Sequence, residues 1–374
     1  MNPKEAADPL ADLDAARRRC PVRRAADGSW EVLGHPEALA VLLDPATFGN
    51  RVSERHVAVP NGMDPPEHGP FREIVDRAFT PAAMAAFAPT CERIAHAHVD
   101  AFLAAGGGDA VRELGEPFAA HAQTAFMGWP DDQGSELLAW QAANVRATRA
   151  GDRAATTALA AAFERLVMAR VTERRALADA APDDPTTRLL RARIDDVPLT
   201  DAAIVSIIRN WTVGELGTIA ASIGIVLHTL ATDAALLRRL WDGPEAVPAT
   251  IDEALRARGP LTANRRVARA AATLAGQHIA RGDRLRLLWP AIDRDERAFV
   301  ASDRILPERD PRATLLYGAG IHVCPGAPLA RLELRTVIAR VVASRLPLSL
   351  DADDPPQFAR PPQAGFERAV VRVG

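Results

Sequence analysis

One stretch near the middle of the chain limits the possible folds more than any other. Residues 201–231 read DAAIVSIIRNWTVGELGTIAASIGIVLHTLA, and apolar residues recur there at helical spacing. Apolar side chains would lie on all sides of this helix, which is typical of a helix buried in a protein core. Asp201 is expected to cap its first turn. The sequence therefore predicts a protein built around one long central helix.

The remaining segments predict a mainly α-helical fold with a small β region. Apolar spacing is mostly helical before residue 230, and glycine turns separate short strand patterns later in the chain. We expect a single domain covering residues 1–374. Its parts would be an N-terminal part containing strands at about 25–60, a helical core at about 70–258, a strand-rich part at about 265–290, and a cysteine loop with the last long helix at 317–346.

Composition and charge argue against several classes of function. The chain is 48% hydrophobic and 25% charged, as in soluble globular proteins, and its net charge of -3 gives no indication of nucleic-acid binding. Its three cysteines are far apart, which argues against a disulfide framework and a cysteine-based zinc site. No segment approaches the roughly 20 apolar residues of a membrane span, and no signal peptide is evident. We expect a cytoplasmic protein with no membrane or nucleic-acid partner.

The segment YGAGIHVCPG, residues 317–326, places Cys324 in a glycine-rich loop. Glycines at 318, 320 and 326 allow backbone conformations that other residues resist, and let the chain pass close to a flat ligand. Backbone amides and the start of the following helix are expected to lower the thiol pKa. Cys324 is therefore either a thiolate ligand to a metal or a buried structural cysteine.

Three other segments carry charged residues at suggestive spacings. Glu253 and Arg256 share a helix face and can form an ion pair. His68 and Arg72 also share a face, where they could bind an anion. Arg266 begins a predicted strand. Each of these features alone is common on protein surfaces.

Taken together, these segments resemble the cytochrome P-450 family, specifically a soluble bacterial haem-thiolate monooxygenase. The family's cysteine loop is matched by Tyr317, Gly318, Gly320, His322, Cys324 and Gly326. The resemblance runs from about Trp30 to the end of the chain and implies the cytochrome P-450 fold, a helical bundle around haem with small β-sheets. It also implies haem b as cofactor, with Cys324 as the axial ligand of the iron. A thiolate ligand pushes electron density onto the iron and favours O–O cleavage.

The resemblance also assigns roles to other residues. Those that would neutralise the haem propionates are His68, Arg72, Arg266 and His322. Tyr317, Gly318 and Gly326 would lie against the haem, with Tyr317 in place of the usual phenylalanine. Its hydroxyl would either add a hydrogen bond near the sulfur or simply pack. Glu253, Arg256 and Arg304 would hold the proximal side together, which is a structural role.

The central helix departs from the family's acid–alcohol motif in either of two registers. If Gly214 is the second glycine of the motif, Leu216 replaces the acid and Gly217 the alcohol. If Thr218 is the alcohol, Gly217 replaces the acid and Glu215 stands where a glycine is expected. Three interpretations follow. In the first, Glu215 and Thr218 form a substitute proton relay. In the second, the proton relay is weakened, and the enzyme uses a substrate group or ordered water, or performs radical coupling in place of oxygen insertion. In the third, Glu215 points away from the pocket and forms a structural pair.

The family analogy places the substrate pocket at residues 51–63, 210–218, 260–264 and 364–366. Individual pocket residues are expected to be Asn210, Trp211, Val213, Leu261, Thr262 and Phe366, although Trp211 could equally be a core aromatic. The pocket itself is expected to be roomy and apolar.

The expected reaction is dioxygen-dependent hydroxylation of an apolar or aromatic small molecule, in secondary metabolism. Electrons would come from a ferredoxin and its reductase, which would dock near Arg331 and Arg335. The alternatives are oxidative coupling of an aromatic or peptide substrate without oxygen insertion, and a peroxide-driven enzyme or a haem protein without turnover.

Overall fold

Helices make up most of the structure, a computed structural model that describes residues 8–53 and 57–374. The α-helices are α1 Pro9–Arg19, α2 His35–Leu43, α3 His68–Asp76, α4 Pro81–Ala104, α5 Glu116–Met127, α6 Gln133–Ala150, α7 Arg153–Leu177, α8 Pro185–Arg191, α9 Asp201–Thr232, α10 Ala234–Asp242, α11 Val247–Ala257, α12 Trp289–Ile292 and α13 Ala327–Ala343. Short 3-10 turns lie at Arg77–Phe79, Ala178–Ala180, Pro244–Ala246, Pro311–Ala313 and Gly320–His322, and a π-helical segment at Ala110–Gly115. The predicted mainly α fold is confirmed.

The β-structure is divided among small sheets. The strands are β1 Val22–Arg24, β2 Trp30–Val32, β3 Phe48–Gly49, β4 Gly107–Asp109, β5 Arg193–Ile194, β6 Val197–Pro198, β7 Ala263–Ala268, β8 Ala272–Leu274, β9 Gln277–Ile279, β10 Arg284–Leu288, β11 Leu348–Leu350, β12 Gln357–Phe358, β13 Phe366–Arg368 and β14 Val370–Val373. The largest sheet has the order β1-β2-β10-β7-β3, and a second has the order β11-β14-β4. Strands β12-β13, β5-β6 and β8-β9 form separate pairs.

The strand-rich part expected at 265–290 is present as β7 to β10. Strand β10 pairs antiparallel with β7 and parallel with β2, so strands from the N-terminal part complete this sheet. Residues 54–56 of the predicted N-terminal part lie outside the described residues. The organisation of the chain as one domain stays a prediction.

The long helix expected at the centre of the protein is α9, and it is buried. It packs against α5, α6, α7, α11 and α13. Ile207, Ile208 and Leu227 on this helix are fully buried. By length and composition α9 could cross a membrane, so the expectation that no segment approaches a membrane span is wrong on these two criteria. However, 61% of its most apolar window is buried inside the fold, as in the core helix of a soluble protein.

The residue that caps α9 is Thr200, so the prediction that Asp201 is the cap is wrong. Thr200 has an extended backbone, and its side chain accepts a hydrogen bond from the Ala203 amide. An N-cap needs this backbone conformation, whereas Asp201 already belongs to the first turn. The carboxylate of Asp201 pairs instead with Arg175 on α7.

The loop before α3 is attached to α9 through its backbone. The Val59 amide donates to the hydroxyl of Ser206 at 2.9 Å, and the Val59 carbonyl accepts from the side-chain amide of Asn210 at 2.8 Å. Ser206 and Asn210 lie four positions apart, on one face of the helix. We call the segment 57–63 the clamped loop.

A buried ion network connects α11 with the segment that leads to the cysteine loop. Arg256 donates to both carboxylate oxygens of Glu253, at 2.7 and 2.9 Å. Its guanidinium also donates to the backbone carbonyls of Asp293, Ser302 and Arg304. These bonds satisfy a guanidinium that is 1% exposed.

The arginine that joins Glu253 and Arg256 is Arg309, so the prediction that Arg304 has this role is wrong. The Nε atom of Arg309 donates to Glu253 Oε1 at 2.9 Å. Arg304 contributes only its carbonyl oxygen to the network, while its side chain is exposed. The turn at 301–304 directs that side chain outward, and the chain returns to Glu253 at Arg309.

The network predicts a contrast between the two arginines. Arg309→Met removes a donor from the buried Glu253 carboxylate, which should lower the free energy of unfolding by about 1–3 kcal/mol. Arg304→Met leaves the backbone carbonyl in place and should change it by no more than about 0.5 kcal/mol. Urea titrations of both variants measure the difference. Equal losses would show that Arg309 has no special part in this network.

Candidate active site

Cys324 lies in a turn whose shape depends on glycine. The 3-10 turn Gly320–His322 precedes it, and the Cys324 amide donates to the Tyr317 carbonyl at 2.8 Å. Gly320 has a φ of +70°, and a Cβ atom there would lie 2.4 Å from the Leu42 carbonyl oxygen. Only glycine therefore allows this loop to pack against the end of α2.

The sulfur of Cys324 receives two backbone amides and is shielded from bulk water by the surrounding protein. Burial raises the pKa of the thiol, whereas the amides of Gly326 and Ala327 and the charges of Arg72 and Arg331 lower it. The net shift is upward, so the prediction of a lowered thiol pKa is wrong, because burial outweighs the amides. The side chain is nevertheless exposed to the cavity described below. Metal coordination would deprotonate the thiol.

A site with a single protein thiol suits a metal ion whose other ligands belong mostly to a cofactor. Across residues 8–53 and 57–374, no group of three or more His, Cys, Asp or Glu side chains is arranged to hold a metal ion. Cys20 and Cys91 lie elsewhere, and Cys91 is fully buried. A haem iron, held by its macrocycle and one axial thiolate, fits this ligand set.

The four basic residues predicted to face one anionic group do lie together. The rings of His68 and His322 have centroids 4.4 Å apart. Burial lowers the pKa of Arg266 to about 10, and its guanidinium donates only to the neighbouring carbonyl of Arg265 within the described structure. Arg72 donates to the Ile321 carbonyl at 2.9 Å. We call His68, Arg72, Arg266 and His322 the basic cluster.

The basic cluster lacks sufficient negative charge. Burial and the neighbouring His68, Arg266 and Arg72 lower the pKa of His322 to about 3, and its buried Nε2 atom has no hydrogen-bond partner among the described residues. Asp64 only partly offsets these charges at Arg266. A ligand with carboxylate groups, such as the haem propionates, would supply both the missing charge and the missing acceptors.

One cavity of about 430 Å³ between α9 and the cysteine loop is bordered by Cys324 and by Arg72, Arg266 and His322 of the basic cluster. His68 packs against the His322 ring and does not line the cavity. The predicted pocket residues Asn210, Trp211, Val213 and Leu261 line it. Trp211 also packs edge-on against Phe79, at 5.6 Å between ring centroids, so it is both a core aromatic and a wall residue. The clamped loop contributes Val59, Pro60 and Asn61 to the lining.

Thr262 and Phe366 do not line the cavity, contrary to the prediction. The hydroxyl of Thr262 donates to the Gln363 carbonyl at 2.6 Å. Phe366 stacks on His228, with ring centroids 4.3 Å apart. Both side chains are therefore engaged in joining the C-terminal strands to the core, a contact that loop composition does not reveal.

The α9 residues facing the cavity support the second register of the family motif. Gly214, Glu215 and Thr218 line the cavity, and the Thr218 hydroxyl donates to the Gly214 carbonyl at 2.5 Å. A Cβ atom on Gly217 would instead lie 3.1 Å from the side-chain nitrogen of Gln363, away from that lining. In this register Thr218 would be the alcohol, and Gly217 would leave the acid position without a carboxylate.

The carboxyl of Glu215 faces Glu333 on α13, a residue that the sequence analysis missed. Both residues border the cavity. The described hydrogen bonds of the Thr218 hydroxyl go to the backbone carbonyls of Gly214 and Glu215, and not to the Glu215 carboxyl. A glutamate within the otherwise apolar stripe of the last helix was the sequence feature that could have identified Glu333.

Tyr317 packs without making a hydrogen bond within the described structure. Its hydroxyl is buried and unpartnered. The guanidinium of Arg331 lies over its ring, 4.5 Å from the centroid, and also pairs with Asp252 at 3.5 Å. The packing role, one of the two predicted alternatives, is the one that these contacts support.

Comparison with known proteins agrees with this arrangement. The sequence pattern of the family described as Cytochrome P450 matches residues 245–366. Erythromycin C-12 hydroxylase of Saccharopolyspora erythraea is 30% identical over 366 residues, which cover 93% of this chain and 90% of the relative. Mycinamicin IV hydroxylase/epoxidase of Micromonospora griseorubida is 29% identical, over 85% of this chain and 82% of the relative.

The fold comparison gives the same family. A structure of a mutant of P450 EryK in complex with erythromycin B superimposes with a TM-score of 0.87 and 28% identity, covering 98% of this chain and 96% of the other. The small sheets, the long central helix and the cysteine loop thus belong to one shared architecture. This chain is a member of the cytochrome P450 family and an oxidoreductase of the monooxygenase type.

Proposed function

We propose that this enzyme hydroxylates a large, mainly apolar small molecule of secondary metabolism, using dioxygen and electrons from a ferredoxin and its reductase. The observation that carries the proposal is the placement of Cys324, Thr218 and three residues of the basic cluster, Arg72, Arg266 and His322, around a single cavity. When bound there, haem would supply oxidation by activated dioxygen. Cys324 would hold its iron, and the basic cluster would hold its propionates.

The substrate class rests on the cavity wall and on the relatives. Apolar side chains such as Val75, Phe79, Ile207 and Leu261 line most of the cavity, while Asn61 and Asn210 offer polar groups near the clamped loop. Such a wall suits a bulky apolar ligand that carries a few hydrogen-bonding groups. The named relatives act on erythromycin and mycinamicin compounds, so we infer a substrate of comparable size.

Electron delivery is assigned to the exposed side of α13. Arg331 and Arg335 are exposed there, and Arg331 also contacts the ring of Tyr317 in the cysteine loop. A basic surface beside the thiolate loop suits an acidic electron carrier such as a ferredoxin, because complementary charge accelerates encounter. Use of such soluble partners supports a cytoplasmic location.

The thiolate assignment predicts a distinctive spectrum. The dithionite-reduced, haem-bound protein should give a strongly red-shifted Soret band with carbon monoxide, and Cys324→Ser should abolish the shift. Cys20→Ser is the matched control, because this cysteine lies outside the cavity lining and should leave the band unchanged. A shifted band that survives Cys324→Ser would exclude this residue as the ligand.

The basic cluster predicts opposite effects with and without haem. Arg266→Met removes a charge-assisted hydrogen bond worth about 1.5–3 kcal/mol, so the dissociation constant for haem should rise roughly ten- to a hundredfold. The haem-free variant should lose no stability, because a buried, incompletely compensated cation is removed. Haem transfer to apomyoglobin and thermal melts measure the two effects.

Arg265→Met is the control for this comparison, since Arg265 is the exposed neighbour on the same strand. It should leave both haem affinity and thermal stability close to wild type. If Arg266→Met destabilised the haem-free protein as much as the haem-bound protein, Arg266 would have only a structural role.

Oxidative coupling remains the second candidate, because Gly217 leaves the usual acid position without a carboxylate. Product mass separates the two reactions when macrolide and cyclic-peptide substrates are supplied with ferredoxin, reductase and isotopically labelled dioxygen. Hydroxylation should add one labelled oxygen atom, whereas coupling should remove two hydrogens without incorporating label. Turnover with peroxide alone would favour a peroxide-driven enzyme, and consumption of no cofactor would favour a haem protein without turnover.

A further inference from the structure

Two carboxyl groups meet at the cavity edge, and no residue that the structure describes forms an ion pair with either of them. Glu215 projects from α9, and Glu333 projects from α13, where it is fully buried. Both Glu333 oxygens and Glu215 Oε1 are buried without a hydrogen-bond donor among the described residues. No ion pair to either carboxyl occurs within residues 8–53 and 57–374. Two buried carboxylates side by side would repel each other strongly.

Among the described residues, no arginine or histidine shifts the pKa of either carboxyl. Cys91 approaches from α4, and burial raises the pKa of its thiol to about 12, so it stays neutral. Tyr317 faces Glu333 from the cysteine loop, and its own pKa is raised by burial, so it is also neutral. Glu92 also acts on Cys91, and Asp252, Arg331 and Cys324 act on Tyr317, but none of these groups shifts the pKa of either carboxyl.

A proton on one of the two carboxyls would supply the hydrogen-bond donor that their buried oxygens lack. The protonated group becomes a donor, and the other carboxyl accepts from it. Burial accordingly raises the pKa of Glu215 to about 8, and burial together with Glu215 raises that of Glu333 well above its usual value. The direction of both pKa shifts favours a proton kept on the pair, as in carboxyl pairs of other enzymes.

We propose that Glu215 and Glu333 share a proton, and that this buried acid replaces the carboxylate missing at Gly217 as the proton source of the cavity. The proton would leave the Glu215 carboxyl for a water molecule or polar substrate group beside Thr218, and the pair would recover it from cavity water. The sharing of the proton follows from the contact between two carboxyls with buried, unpartnered oxygens, while its use rests on the proposed function.

Infrared spectroscopy tests the shared proton directly. Wild-type protein should show a protonated-carboxyl C=O band that shifts in heavy water and persists at neutral pH. The band should be lost from the difference spectrum of the Glu215→Gln/Glu333→Gln variant. Glu116→Gln is the matched control, because Glu116 is another partly buried acid with a raised pKa, away from the cavity lining. Absence of a wild-type band assignable to the pair would overturn the proposal.

Thermal stability gives a second measurement with a definite sign. Because both pKa values are raised on folding, the native protein binds more protons than the unfolded chain, so the pair's contribution to stability falls as pH rises toward about 8. The Tm of the double glutamine variant relative to wild type should therefore increase across this range. A difference in Tm that is independent of pH would contradict the raised pKa values.

Coupling of cofactor consumption to product then tests how the proton is used. Glu215→Gln should bind haem and give the wild-type carbon monoxide band, but should form less product per reduced cofactor. Glu116→Gln, outside the cavity lining, should leave coupling at the wild-type value. Unchanged coupling in Glu215→Gln would overturn the relay role. Loss of the carbon monoxide band in wild type would instead contradict the proposed function.

Discussion

Helix α9 is stable only inside the protein, because its apolar side chains point in every direction and must all be covered. The surrounding helices cover these side chains. The same burial limits the polar groups of α9 to partners inside the protein. Ser206 and Asn210 satisfy the backbone of the clamped loop, Thr212 bonds the carbonyl of its own preceding turn, and Glu215 lies against another buried acid. The wall of the cavity is thus a direct result of how a buried helix accommodates its polar residues.

The cavity has opposite electrostatic requirements at two places. At the basic cluster, positive groups are crowded together and an anion is favoured. At Glu215 and Glu333, acidic groups are crowded together and a proton is favoured. Cys324 lies on the same cavity, with amides directed at its sulfur. The low dielectric of a protein interior makes each requirement stronger than it would be in water. The cavity therefore suits an anionic ligand at the basic cluster and the proposed shared proton at the two glutamates.

Local sequence patterns predicted the elements that local contacts determine. The cysteine loop, the long helix and the Glu253–Arg256 pair were recognisable because spacing along one segment defines them. Partners from distant segments could not be recognised in the sequence. Which arginine reaches Glu253, Arg309 or Arg304, depends on the path of an irregular turn. The role of Glu333 becomes visible only where α13 packs against α9. The same reason explains Thr262 and Phe366, whose side chains contact the C-terminal strands and not the cavity.

The attachment of the clamped loop has a consequence for how substrate preference can change in evolution. Both hydrogen bonds from α9 end on the amide and carbonyl of Val59, so they depend on the backbone and not on the identity of that side chain. Mutations in the clamped loop, other than to proline at position 59, can alter the shape and polarity of the cavity while the loop stays hydrogen-bonded to α9. Mutations that change substrate preference can therefore accumulate in this loop without disrupting the protein core.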